Sequence, residues 1–555
     1  MAFGADQEPC EGLIPCPETA HENQNTIPRL SLNDVIRQTI KYQWTIQSSE
    51  LAIDAQAGVL EQATGAFNPF LDTSYAKLFQ RDIQTAIGLK SGLNGYTSTS
   101  NLSLQTLARL GTTYGITYQN VNTLNPLTLT PLLPPRTDAS TVNLTVTQPL
   151  LRNLLYSPQT TLEKTQQLQL KAVKFQNIQN IAQAIAASIT AYWEFVAARK
   201  LLVVQWEQEQ LLCTLEEYAE DLVNENQQGY ASLYQPRADL ALATANRIQA
   251  EQNVRATYYA LLLSMGLVPG EQKEIPDLLV DDFPISDNLC VLDRNWYDRY
   301  LNAIDDNRTD IIAAKILIEQ ADLNLISAKN SLLPAVDVTG TAQLLNTTAA
   351  QRARHLFESS SFRNPERDYT VGVSLTFPIF NDTAKGLVKQ TRALKSQAVV
   401  NANFLESQAI SDFKTAFTLY NALLSEVKRI RLSAKDYRLT VESEYLKLKE
   451  GLSTYFFVLT LQTFWQQALI QQIFTEKLFA ENLVQMQLSS GKLIKWISED
   501  KEIEPSDVDT TTDMFMVMGC ETMGSKPSES CTLEHPLPPG TNVSGDTEET
   551  LSDWQ

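Results

Sequence analysis

The two halves of this chain carry the same segments in the same order, and that duplication restricts the fold more than any single motif does. Gly65-Ala66-Phe67-Asn68-Pro69-Phe70-Leu71-Asp72 lies beside Asn330-Ser331-Leu332-Leu333-Pro334-Ala335-Val336-Asp337, with Pro69 matching Pro334 and Asp72 matching Asp337 at an offset of 265. At the same offset Leu51, Ile53, Asp54 and Leu60 meet Ile316, Ile318, Glu319 and Leu325. Thr141–Leu150 then lies beside Thr370–Ile379, and Gly229 and Gly451 each separate two long helical stretches. Each half reads helix, strand, loop, strand, long helix, glycine turn, long helix. Two large modules of this kind predict a pseudo-symmetric assembly rather than a many-repeat solenoid.

The predicted organisation has five parts: a polar arm over 1–29, a first repeat over 30–267, a Pro- and Asp-rich connector over 268–295, a second repeat over 296–497, and an acidic tail without fixed structure over 498–555. In the first repeat a helix is expected from Ser31 to Ala63, with Ser31 as N-cap and Asp34 in the first turn. Over Phe70–Gln80, Leu71, Thr73, Tyr75 and Phe79 alternate with Asp72, Ser74 and Ala76, the pattern of a wall with one apolar and one polar face. The Gly-, Thr- and Asn-rich insert from Gly88 to Arg136 holds strand-like runs at Ser98–Leu107 and Thr112–Gln119. The partner strand is Thr141–Gln148, ended by Pro149. From Pro158 to Gln228 the apolar stripe Ile178, Ile181, Ile185, Ile189, Tyr192 and Val196 has helical spacing. A helix of about 70 residues spans about 100 Å, which suits a rod or tunnel rather than a compact domain. A second helix runs from Pro236 to Met265. The second repeat follows as helix Trp296–Leu332, strands Pro334–Leu344 and Tyr369–Thr376 around an insert from Asn346 to Arg367, helix Thr383–Glu450, and helix Tyr455–Ser489.

The formal charge of −20 and the lack of a Lys/Arg cluster argue against nucleic acid as a partner. No run of about 18 apolar residues predicts a transmembrane helix, and a β-barrel, whose strands alternate weakly, is left open by that. Met1-Ala2-Phe3-Gly4-Ala5 reads like the last stretch before a signal cleavage site. Cys10 with Cys16, and Cys520 with Cys531, read equally as local disulfides or as free thiols in terminal segments; Cys213 and Cys290 stand singly. His21, His355 and His535 lie apart. No nucleophile–base pair, phosphate loop or metal-ligand spacing is found, so no catalytic, cofactor or metal residue is assigned and an enzyme is not expected.

Over residues 30–497 the chain resembles the TolC-type outer-membrane efflux family. The resemblance rests on the paired strand endings Thr147-Gln148-Pro149-Leu150-Leu151 and Thr376-Phe377-Pro378-Ile379-Phe380. It rests also on Asp306-Asn307-Arg308-Thr309-Asp310-Ile311, similar to the family's Asn-Arg-Pro-Asp-Leu, and on Ala260–Gly270 at the close of the first helical hairpin. It implies a homotrimer in which each chain gives four strands to one twelve-stranded outer-membrane β-barrel, continued by a periplasmic α-helical coiled-coil barrel. It also implies a passive exit duct of a tripartite efflux or type I secretion system, set in outer-membrane lipid with most of the chain in the periplasm. A periplasmic adaptor and an inner-membrane transporter would dock there, and no cofactor is implied. Two strand pairs are too few to close a barrel alone, and open edges do not face lipid, so oligomerisation agrees with the residues themselves.

By the same resemblance the adaptor meets the hairpin tips, here Gly229, Tyr230, Ala231, Ser232 and Leu233, and Gly451, Leu452, Ser453 and Thr454. The plainer reading is that Gly229 and Gly451 supply left-handed turns. Where family members place aspartates around a closed entrance, this sequence has Phe457 and Thr460, with Gln235 after the first tip. An acidic gate is therefore not expected at this constriction. Tyr455, Phe456 and Phe457 read either as an apolar constriction that gates by dewetting or as helix packing. The competing function is a soluble coiled-coil scaffold, which accounts for the helices and the charge but leaves the duplicated, proline-ended strands without a purpose.

Overall fold

The fold was established from a computed structural model that describes residues 29–86, 89–124, 136–225, 229–268, 275, 278–279, 281–285, 292, 294–350, 358–362, 364–495 and 507–508. In chain order its elements are β1 (Arg29–Leu30), α1 (Leu32–Tyr42), α2 (Trp44–Gly65), β2 (Phe70–Ala86), β3 (Leu89–Leu107), β4 (Thr113–Leu124), β5 (Arg136–Pro149) and α3 (Pro158–Asn224). After a 3-10 turn at Tyr230–Leu233 come α4 (Tyr234–Ser264), β6 (Leu278–Leu279), α5 (Arg294–Asn307), α6 (Thr309–Asn330), β7 (Ala335–Ala350), a 3-10 turn at Glu358–Ser361, β8 (Glu366–Thr376), α7 (Asp382–Lys449) and α8 (Tyr455–Ser490). The duplication is exact where it matters: α2 and α6 begin at Trp44 and Thr309 and end at Gly65 and Asn330, both 265 apart.

Two sequence expectations fail here for one reason. The helices expected over Ser31–Ala63 and Trp296–Leu332 are each broken, at Gln43 and at Arg308, whose backbones are extended. Neither is a proline or a glycine. The breaks are made by tertiary stacking: α4 ends head-on against Gln43, whose Nε2 donates to the Ser264 carbonyl (2.8 Å), and α8 ends against Arg308. Each returning helix closes on a left-handed glycine, Gly266 and Gly491. Arg308 is fixed by Asp310 (2.5 Å), and Asp310 in turn accepts from its neighbour's backbone at the start of α6.

Four helical columns result, in the order α2 with α4, α3, α6 with α8, and α7. Ser157 caps α3 through the Thr160 N–H (3.1 Å), with Pro158 in the first turn. The stripe Ile178, Ile181, Ile185, Ile189, Tyr192 and Val196 is buried throughout. One stretch of α3 is long and apolar enough to cross a membrane, but 72% of it is buried inside the chain. That stretch packs as core.

The core is concentrated where α1, α3, α4 and α8 meet, around Trp193, Phe195 and Tyr258, with a counterpart around Phe413, Tyr420 and Phe479. Part of the connector is tied into it. β6 pairs in parallel with β1, and the Asp281 carboxylate accepts from the Leu32 N–H at the start of α1 (2.6 Å). The expected tail is not wholly outside the fold, because Val508 pairs with Ile494 and is 2% exposed within this core. The arm before residue 29, the rest of the tail, and Cys10, Cys16, Cys290, Cys520 and Cys531 lie outside the described residues, as do His21, His355 and His535.

The largest departure from expectation is in the sheet. Among the described residues six strands, not four, form one continuous antiparallel order β2-β3-β4-β5-β7-β8. The strand-like runs of the first insert are full members of it. β3 pairs with β2 from Gln105 to Leu89, and β4 pairs with β5 from Thr113 to Leu124. Among the described residues the second repeat shows no such hairpin, and β7 pairs directly with β8.

Candidate functional site

One straight row of side chains crosses all six strands on a single face: Leu71, Leu104, Ile116, Leu144, Ala342 and Tyr369. One residue along, on the opposite face, the row reads Asp72, Ser103, Thr117, Asn143, Gln343 and Asp368. Side chains alternate across a strand, so these rows define two surfaces, one apolar and one polar. The leucines, Ile116 and Tyr369 are exposed. A soluble sheet hides such a row, whereas a barrel in lipid presents it. On the polar face, at the inner end, an open cavity of ≈ 620 Å³ is lined by Gln105, Thr117, Thr145, Thr147 and Asp337.

Beyond the apolar band the face that carries Leu144 and Ile116 turns polar and is covered. The turn at Glu358–Ser361 folds back so that the Ser359 N–H and hydroxyl both donate to Asp138 (2.8 and 2.7 Å). Asn120 donates to the other oxygen of that carboxylate (2.8 Å). The Asn346 side chain donates to the Ser359 carbonyl (2.6 Å). Asp138, Asn120 and Ser359 are buried and partnered, as burial of polar atoms requires.

At the opposite end of the sheet the β3–β4 turn is fastened to α3. Arg109 makes a forked pair with Glu163 (2.6 and 2.8 Å), and its guanidinium lies 4.9 Å from the centre of the Phe67 ring. Thr160 Oγ1 donates to the Arg109 carbonyl (2.9 Å), and Gly111, with φ +89°, fits against the Asn153 backbone where a Cβ would come within 2.5 Å. The Arg109 hydrogen bond, its charge acting with it against burial, holds the Glu163 carboxyl below the usual range.

The hairpin tips stand at the far end of the helical columns. Tyr230, Leu452 and Phe456 project, being 74%, 74% and 65% exposed. Gly229, Ala231, Ser232, Gly451 and Thr454 are exposed too, Ser453 is half-buried, and Leu233 is buried. The two glycines differ, against expectation. Gly451 is left-handed, and the Leu452 N–H reaches back to the Lys447 carbonyl (2.8 Å). Gly229 has φ −80° and merely precedes a 3-10 turn closed by Ser232 on the Gly229 carbonyl.

Tyr455 packs with Leu212, Leu215, Ala243, Leu448 and Val458, so packing describes it better than a constriction, whereas Phe456 and Phe457 remain exposed. The Thr460 hydroxyl bonds to the Phe456 carbonyl of its own helix (2.8 Å). Gln235 is exposed and hydrogen-bonds Asp239 one turn on. Asp239 went unnoticed in the sequence, though it follows Gln235 by four residues. Burial pushes its carboxyl up, partly offset by Gln235, and one of its oxygens has no partner. Burial, reinforced by the Asp239 charge, pushes the Tyr455 hydroxyl up to about 12. Among the described residues no group of three or more His, Cys, Asp or Glu is placed to hold a metal.

No protein-family profile matches the chain, and no curated protein does. Solved structures do. With the CmeC outer-membrane channel of Campylobacter jejuni the identity is 14%, over 88% of this chain and 89% of that one, at a TM-score of 0.59. The outer-membrane protein VceC of Vibrio cholerae gives 15%, 83%, 96% and 0.60 in the same order. The open state of the MtrE outer-membrane channel of Neisseria gonorrhoeae gives 15%, 83%, 88% and 0.56. The fold of the chain is that of the TolC-type outer-membrane channels.

Proposed function

We propose that this chain is one subunit of a passive exit duct: a homotrimer whose joined sheets form a β-barrel in outer-membrane lipid and whose helical columns form a tunnel through the periplasm. The observation that carries this reading is the pair of adjoining rows, six apolar side chains on one face and six polar on the other, running unbroken across the sheet. That sidedness suits a wall between lipid and water.

Both layers also end in open edges. Among the described residues β2 and β8 each have a single strand partner, and their described side chains from Phe70 to Phe79 and from Glu366 to Thr376 are exposed. The outer columns likewise leave apolar side chains bare, among them Trp44, Leu51 and Tyr259 on one and Leu394, Phe404 and Leu439 on the other. Unlike edges at opposite ends of one subunit make a head-to-tail contact, which gives a ring when the rotation between copies closes. The homotrimer that the sequence resemblance implies sets the number at three.

In this reading the tip residues 229–233 and 451–454 meet a periplasmic adaptor, which joins the duct to an inner-membrane transporter. Gln235, Phe457 and Thr460, together with Asp239, surround the entrance. The duct has no chemistry of its own, and cargo is set by the transporter it serves, whether in efflux or in type I secretion. The test is fractionation of cells expressing the chain behind a working signal, then single-channel recording of the purified protein in planar bilayers. A trimeric outer-membrane species with discrete conductance is expected. A soluble species without conductance would overturn the duct and promote the coiled-coil scaffold.

A further inference from the structure

The hairpin β3–β4 lies within the sheet, between β2 and β5. We infer that this hairpin is part of the barrel wall, so that three copies close an eighteen-stranded barrel rather than the twelve-stranded one that the duplicated strand pairs alone would give. The inference rests on the trimeric reading above and adds the strand count and the bore.

Three independent observations carry it. The first is sidedness. Leu104 and Ile116 continue the apolar row, and Ser103 and Thr117 continue the polar row, in register with β2 on one side and β5 on the other. A hairpin lying outside the wall has no reason to match both rows. The second is anchoring. The inner turn of the hairpin is bound to the tunnel by Arg109 on Glu163 and by Thr160 on the Arg109 carbonyl, and Thr106 Oγ1 donates to the Phe67 carbonyl ahead of β2 (3.1 Å). An ornament on the outer surface of the cell would not reach the start of α3.

The third is circumference. Each chain presents four helical columns, which at a spacing of about 9.5 Å occupy about 38 Å of arc. Six strands about 4.8 Å apart and tilted by about 40° occupy about 38 Å, whereas four occupy about 25 Å. With the hairpin in the wall, barrel and tunnel have matching girth, and the membrane pore is no narrower than the tunnel. Selection by size then falls to the tips.

Closure is consistent with this count. Five antiparallel pairings separate β2 from β8, so the two run in opposite directions, and β8 of one copy meets β2 of the next as an antiparallel pair. A single chain does not close on itself, because transmembrane barrels begin at about eight strands.

The deciding experiment is a cryo-electron-microscopy reconstruction of the full chain in lipid nanodiscs, read for copy number and for strands in cross-section. Three copies with eighteen strands are expected. Three copies with twelve strands, the hairpin lying off the wall, would overturn the inference and leave the trimeric duct standing. Another copy number with six strands apiece would sink the trimer and the count of eighteen together. Thiol labelling in the outer membrane gives a second reading, with the signal of the parent cysteines subtracted. A membrane-impermeant reagent should modify Ser103→Cys and not Leu104→Cys. Equal modification of both would place the hairpin outside the wall.

Discussion

Gly266 lies so close to Tyr42 that a Cβ built on it would fall 2.2 Å from the Tyr42 carbonyl oxygen. Gly491 repeats the arrangement with Asn307, 265 residues after Tyr42, at 2.7 Å. Both glycines have positive φ, +77° and +72°. Gly266→Ala and Gly491→Ala should each cost more than the about 1–2 kcal/mol of a left-handed residue, because backbone must also move. Gly229→Ala, in open space with φ −80°, should stay within about 0.5 kcal/mol. Thermal melts followed by circular dichroism compare them, and equal midpoints for Gly266→Ala and Gly229→Ala would contradict the stacked-column account.

The Arg109–Glu163 pair should make attachment of the β3–β4 turn depend on pH. Glu163 titrates below its ordinary value of 4.5 when folded, chiefly through its hydrogen bond to Arg109. Its contribution is therefore complete above that value and is lost as pH falls through the lower, folded one. Arg109→Ala should remove this dependence and speed amide exchange at Gly111, whose N–H is held by the Ala108 carbonyl. Unchanged exchange at Gly111 would mean that the pair is ornamental and that Thr160 holds the turn alone.

What the sequence withheld follows a physical pattern. The alternation of Leu71, Thr73 and Tyr75 and the stripe from Ile178 to Val196 are local periodicities, and both were legible. So were the runs Ser98–Leu107 and Thr112–Gln119. Their place in the wall was not, because register with β2 and β5 is a long-range property and the outer half of β3, through Ser91-Gly92-Leu93-Asn94-Gly95, shows no alternation. The breaks at Gln43 and Arg308 were hidden for the same reason, since what ends each helix is a glycine more than 180 residues away in sequence. At the tips the matching of Gly229 with Gly451 suggested a symmetry that the backbone lacks. Asp239 was passed over because desolvation, not spacing, singles it out.

Asp239 should weaken the tip when ionised. Its carboxyl is raised above the ordinary 3.8, with burial the larger cause. For an acid raised in the folded state, stability falls as pH climbs from the ordinary value through the raised one, and remains lower above it. Asp239→Asn keeps the shape and the Gln235 contact while removing the charge, so it should raise the melting temperature at neutral pH and flatten the acid side of the profile. A lower melting temperature at neutral pH would show instead that the charge has a partner in the assembled protein.

Arginine substitutions across the wall should read its two faces directly. Leu144→Arg puts a charge in the apolar row and should cost about 2–4 kcal/mol near the membrane midplane, enough to lower the yield of assembled barrel. Asn143→Arg, one residue away, points to water and should assemble normally. The same pair on the inserted hairpin is Leu104→Arg and Ser103→Arg, which share their rows with Leu144 and Asn143 through Ile116 and Thr117. If β3 is wall, Leu104→Arg should behave as Leu144→Arg does. If Leu144→Arg blocks assembly and Leu104→Arg does not, β3 meets no lipid, and each chain gives the barrel fewer strands than its sheet holds.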